Sequence, residues 1–283
     1  MRLLLILFSL MLPALSAAAG APSISSKVEN IELNIKDHEM AVTFIGLSSG
    51  EATLIQGPNN ENILVNTGKE DTAAELEGWL RLYDVKRIGT LILTSDGSGL
   101  SSQHVNHLIE KYQIKKIITT SKIAPLVTSE LKHQNLLPVL VWKEGIKETL
   151  LPDLTVEVEF AGTGEDEGMD IVLSFFKQRV FLMSSYSDRA EEELFKKNLQ
   201  DINVFKIPNC TKEDSLSKKL IQYLNPQISV LFTPEEKHLD PEILHHLQDS
   251  WSEVYFTKRH GTITLKFTDS KYEVFTIPPE AEQ

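Results

Sequence analysis

Apolar residues in this chain come in short strand-like runs that alternate with stretches of helical spacing. The runs "AVTFIGL", "ATLIQG" and "NILVNTG", between residues 41 and 68, are separated by "SSGE" and "PNNE" and predict three strands joined by turns. Ala73, Leu76, Leu80 and Tyr83 then share a helix face, which leads into "RIGTLILT", a continuous run of the kind buried on both faces. Val105, Leu108, Ile109 and Tyr112 fall at i, i+3, i+4 and i+7, the stripe of an amphipathic helix, and "KKIITT" is the next strand. A helix over about 123–134 precedes "PVLVW".

The middle of the chain changes character. "TVEVEF", "DIVLSFF" and "RVFLMSS" follow one another with only loops between them, which predicts an antiparallel meander. The alternation then resumes: a helix capped by Ser187 or Asp188, the strand "NVFKIP", a stripe of Leu216, Leu220, Tyr223 and Leu224, the strand "QISVLFT" and a helix over 241–250. "EVYFT", "GTITLKF" and "YEVFTI" close the pattern. Hairpins at the ends with helix–strand units between them describe two mixed sheets packed face to face with helices outside, an α/β four-layer αββα sandwich. Its expected extent is residues 38–277, after a polar leader over 22–37 and before a disordered tail at 278–283.

The first 21 residues stand apart. One arginine, an apolar stretch from Leu3 to Leu15 and small residues at 17, 19 and 21 make a secretory signal peptide, with an uncleaved anchor as the alternative. The apolar core is short for a bilayer span, and no later segment is apolar enough for one. The expected location is therefore secreted or periplasmic. No cysteine lies near the cleavage site, so lipoprotein attachment has no acceptor thiol. Cys210, the only cysteine, cannot form an internal disulfide; it is read as a buried inert thiol or as a reactive one at a strand end.

The 283 residues carry 40 acids against 28 Lys and Arg, a formal charge of -12, which opposes nucleic acid as a standing partner. His104 and His107 share a helix face with Lys111, which reads as a solvated face rather than a ligand pair. His245 and His246 read as surface residues, and His38, His133 and His260 have no partner at ligand spacing. "GTGEDEGMD" lacks the spacing of a calcium loop and reads as an acidic hairpin loop. There is no G-x-S-x-G elbow, phosphate-binding glycine loop or dinucleotide fingerprint.

The order of segments resembles the metallo-β-lactamase superfamily, and most closely the soluble domain of the DNA-uptake channel protein ComEC and its stand-alone relatives. "GLSSGEATLIQGPNNENILVNTG" is similar to their V-G-Q-G-D turn and D-T-G strand, and "RIGTLILTSDGSGLSS" to the strand that runs into T-H-x-x-x-D-H. "MDIVLSFFKQRVFLMSS", "NVFKIPNC" and "HGTITLKF" resemble the later hairpin, the strand before H-H-G-S and the terminal strand. The resemblance implies metal ligands at positions held here by Ser95, Gly97, Gly99, Leu100, Asn209, Cys210 and Tyr186, with Asn66 in place of the D-T-G aspartate. Zinc sites are built from imidazole, thiolate and carboxylate, so this pattern implies no metal and no cofactor.

What remains is a candidate cleft of Asn66, Ser95, Asp96, Tyr186, Asn209 and Cys210, with Asp96 its one acid. The expectation is a non-catalytic protein that binds an unidentified small polar ligand or a partner protein. The alternatives are a hydrolase of phosphoesters or other esters with a rearranged active site, and an accessory of DNA uptake.

Overall fold

The computed structural model describes residues 30–95, 100–131, 137–164, 167–208, 216–232 and 241–279. The expected signal segment, residues 1–21, together with Asp96, His133, Asn209 and Cys210, lies outside these residues.

Eight strands form one sheet, in the order β15 (Tyr272–Ile277), β14 (Thr262–Phe267), β1 (Met40–Phe44), β2 (Thr53–Gln56), β3 (Asn62–Val65), β4 (Thr90–Leu93), β5 (Lys116–Thr119) and β6 (Val139–Val141). Pairing is antiparallel from β15 to β3 and parallel from β3 to β6. The second sheet runs β13 (Glu253–Phe256), β12 (Ile228–Leu231), β11 (Val204–Ile207), β10 (Gln178–Leu182), β9 (Met169–Phe175), β8 (Leu154–Ala161) and β7 (Lys147–Leu151). It is parallel from β13 to β10 and antiparallel from there to β7.

The helices are α1 (Ala73–Leu82), α2 (Ser102–Tyr112), α3 (Ala124–Glu130), α4 (Asp188–Leu194), α5 (Lys218–Leu224), α6 (Pro241–Asp249) and the single turn α7 (Thr257–His260). Side-chain alternation along the strands divides the apolar residues into three layers. In β3, Ile63 and Val65 face the space between the sheets with Phe44, Phe175 and Val204, whereas Leu64 turns outward beneath α1 and α2 with Leu76 and Leu108. Phe181 and Phe205 do the same on the other sheet beneath α4, α5 and α6. The four-layer sandwich is the result. No helix among the described residues is long and apolar enough to cross a membrane.

Serines start three of the helices, and Ser187 is one of the two caps the sequence predicts for its helix. Ser101, Ser187 and Ser217 cap α2, α4 and α5, accepting from the amides of His104, Ala190 and Leu220 at 3.3, 3.1 and 3.1 Å. The end of the leader lies on the domain: Ile31 N donates to Leu82 O at 2.8 Å, and Ile31 and Leu33 pack on the helix-side core.

The structure adds one strand that the sequence pattern does not announce and changes two histidine readings. "KETLL" is β7, an edge strand whose outward positions are Lys147 and Thr149, so its apolar signal is weak. His104 is buried, 6% exposed, because α2 is flanked on both sides: Asn106 Nδ2 donates to Glu130 O at 2.9 Å, and His107 pairs with Glu77 at 3.1 Å. Burial lowers the His104 pKa, with Glu77 opposing. His38 does have a partner, Asp153 at 2.7 Å, reached through the fold.

Candidate functional site

Strands β3 and β4 are parallel neighbours and both end at one rim of the sandwich, the mouth. Asn66 follows β3, and Thr94 and Ser95 follow β4. Strand β10 delivers Ser184, Ser185 and Tyr186 to the same rim, because Ser184 Oγ donates to Thr94 Oγ1 across the two sheets at 2.8 Å. A second cross-sheet bond, Met169 N to Thr94 O at 2.7 Å, ties in the start of β9.

Asn66 adopts φ 60°, a left-handed conformation that asparagine tolerates better than most residues. Its Oδ1 accepts from Thr94 N at 2.9 Å and its Nδ2 donates to Thr94 Oγ1 at 2.9 Å. The carboxamide is therefore committed to the neighbouring strand. Gly168 is required here by contact: a Cβ would stand 2.6 Å from Thr94 O.

Behind this ladder sits a buried carboxyl. Asp170 is fully buried, and its Oδ1 accepts from the amides of Ser184 and Ser185 at 2.6 and 2.9 Å. Its Oδ2 has no hydrogen-bond partner. Burial raises its pKa to about 7, against the opposing pull of the two amides and of Lys206. Lys206 is itself buried, 4% exposed; its Nζ donates to Met183 O at 3.0 Å, forms an ion pair with Glu51 and lies 5.7 Å from the Phe232 ring centre. On the rim, Glu167 accepts from the amides of Thr163 and Gly164 at 3.0 and 2.7 Å and from Arg189 Nε at 2.8 Å. These contacts, the Arg189 hydrogen bond foremost, hold its pKa down to about 2.

Of the six expected cleft residues, the fold brings Asn66 and Ser95 to adjacent strand ends and places Tyr186 two residues beyond the bridging Ser184. Ser95 and Tyr186 are half-buried, and Tyr186 packs on the core beneath α4. Asp96, Asn209 and Cys210 are outside the described residues. The sequence reading missed Thr94, Asp170, Lys206 and Glu51. Two signals were available: an acid opening the apolar run "DIVLSFF", and a lysine inside "VFKI", a segment with no other charge.

Metallo-hydrolase chemistry in this architecture needs convergent imidazoles and carboxylates. The described residues at the mouth do not fit a divalent cation. The carboxamide of Asn66 is consumed by Thr94, one oxygen of Asp170 is held by two amides with the other sealed from solvent, and Glu51 is neutralised by Lys206. Among the described residues no three His, Cys, Asp or Glu side chains converge in a way that could hold a metal.

The fold is that of the metallo-β-lactamases. The structure aligns with the metallo-β-lactamase fold protein YhfI from Bacillus subtilis at TM-score 0.56 and 11% identity, over 77% of this chain and 96% of that one. It aligns with zinc-bound PqqB from Methylobacterium extorquens at TM-score 0.55 and 8% identity, over 76% and 97% of the two chains. A diphosphatase from the PhnP family aligns at TM-score 0.52 and 12% identity, over 86% and 100%. No protein-family model and no curated protein matches the sequence. At these identities the likeness is one of fold.

Proposed function

We propose that this is an exported, ComEC-like protein of metallo-β-lactamase fold that has exchanged its metal site for a hydrogen-bonding ladder of amide and hydroxyl groups and acts by binding a small polar ligand. The observation that supports this reading is the Asn66–Thr94–Ser184 ladder. At the rim where the family resemblance implies metal ligands, the described side chains of Asn66, Thr94 and Ser184 are amide and hydroxyl groups that bond to one another across the two sheets. Ser95 is half-buried beside the ladder and supplies a hydroxyl that both donates and accepts. Asp170 acts from behind as a positioning residue: its two amide contacts fix the backbone of the segment that carries Tyr186.

The decisive assay is hydrolysis. The chain lacking residues 1–21, incubated with Zn²⁺ or Mn²⁺ and desalted, is expected to turn over phosphodiester and lactam substrates no faster than buffer. Turnover above that level which disappears in Ser95→Ala or Cys210→Ala would replace this reading with a hydrolase of rearranged site.

A further inference from the structure

A positively charged groove lies on the outer helical layer of this otherwise acidic chain. On α1, Ala74, Glu77, Gly78 and Arg81 fall at i, i+3, i+4 and i+7 and share one face. Ala74 and Gly78 are small, and a space of about 330 Å³ remains between this face, the end of α2 and the turn after α1. Its lining holds three cations, Arg81, Lys86 and Lys111, against one acid, Glu77, in a chain whose net charge is -12.

The charges are not equally available. Lys111 is paired with Glu77, whose other oxygen takes His107 at 3.1 Å, and Lys86 is paired with Asp84 at 2.5 Å. Both oxygens of Glu77 are therefore occupied. Arg81 is exposed, and its guanidinium, a planar fork of N–H donors, makes no hydrogen bond or ion pair among the described residues. The second available donor is Tyr112, which is 4% exposed and lines the groove, with its hydroxyl not among the sealed polar atoms. Burial raises its pKa, with Lys111 and Arg81 opposing and Glu77 adding, so both cations lie beside the hydroxyl and the proton stays in place at neutral pH. An ammonium only donates. Lys111 thus takes a lone pair of that hydroxyl and leaves the phenolic proton without an acceptor.

We infer that this groove is a binding site for the phosphate group of a small phosphomonoester. The Arg81 fork matches two oxygens of a phosphate, the Tyr112 hydroxyl donates to a third, and the excess of cations over acid in the lining suits a dianion better than a single carboxylate. Ala74 and Val85 give the groove apolar walls for the organic part of the ester, which a free phosphate ion lacks. Helix α2 starts beside the mouth and runs 11 residues, about 16 Å, to Tyr112, so the groove is separate from the mouth and does not depend on what the mouth binds.

The test is isothermal titration calorimetry of glycerol 3-phosphate into the chain lacking residues 1–21, at low salt, with inorganic phosphate and acetate titrated in parallel. Saturable one-site binding of the ester is expected, with inorganic phosphate weaker. Arg81 is exposed, so the fold tolerates Arg81→Gln, which should lower affinity about tenfold or more, the loss of a charge-assisted pair of hydrogen bonds. Tyr112→Phe keeps the buried ring and should cost about threefold, as for one neutral donor. Lys271→Gln, at a remote exposed lysine, is expected to bind unchanged, which separates a built site from general attraction to surface cations. No saturation, equal affinity in wild type and Arg81→Gln, or acetate or inorganic phosphate bound as tightly as the ester would overturn the inference. So would a loss in Ser95→Ala with none in Arg81→Gln, which would place the ligand in the mouth.

Discussion

Strand β3 begins with one asparagine and is followed at once by another, and the two do opposite things. Asn66, at the mouth, has both ends of its carboxamide bound to Thr94, in a ladder that continues to Ser184 in the other sheet. Asn62, four residues earlier, gives both N–H groups to backbone carbonyls and leaves its own oxygen sealed and unpaired beside that of Gln56. The same side chain is thus a clasp at one end of the strand and a sealed, unpaired acceptor at the other. A closed polar network holds elements together, whereas a buried carbonyl left unpaired costs stability.

The largest expected effect lies at the closed end. Lys206→Met leaves Glu51 without its cation in a buried setting, and a loss of roughly 3–5 kcal/mol in unfolding free energy by urea titration is expected. A double variant that also replaces Glu51 by Leu should recover most of that loss; failure to recover would mean that the packing of the Lys206 stem over Phe232 dominates. Next, Asn66→Ala removes the clasp and places alanine at φ 60°, for a cost of about 1–3 kcal/mol in the same assay. Asn66→Gly should cost less, since glycine adopts that backbone freely.

A shallower effect is a pH dependence. The carboxyl of Asp170 has its pKa raised from 3.8 to about 7, so between those values the folded chain binds more protons than the unfolded one. Its contribution to stability is full below about pH 4 and is lost as pH rises through 7, with a slope of at most about 1.4 kcal/mol per pH unit. Asp170→Asn should flatten that slope in a series of urea melts, and an unchanged slope would place the titration elsewhere. Glu167 works in the other direction: its lowered pKa gives stability that is present above pH 4.5 and lost as pH falls toward 2. The smallest effect belongs to the Asn62 end of the strand. Gln56→Leu removes one long hydrogen bond together with an unpaired oxygen, so the stability change should stay within about 1 kcal/mol.

The sandwich was legible because each of its layers has its own period. The runs around β1 to β4 and the meander of β8 to β10 announced strands, and the stripe of Val105, Leu108, Ile109 and Tyr112 announced α2, whose core face it forms. Legibility failed where a partner is far along the chain. The polar character of "KETLL" hid an edge strand, and the place of His104 depends on α2 being enclosed by its neighbours on both flanks. Lysine 206 and aspartate 170 look like surface charges until Glu51 and the amides of Ser184 and Ser185 arrive from other elements. Likewise His38 meets Asp153 only through the fold. The position of the mouth could be read from sequence through Asn66 and Ser95; its bonding, centred on Thr94, could not.

The most direct test of the metal-free mouth is metal stoichiometry. The chain lacking residues 1–21, untagged, is measured by mass spectrometry before and after incubation with Zn²⁺ or Mn²⁺ and desalting. Far less than one ion per chain in both states is the predicted result. One or two tightly held ions per chain would contradict the account and would mean that side chains beyond the Asn66–Thr94–Ser184 ladder assemble a metal centre.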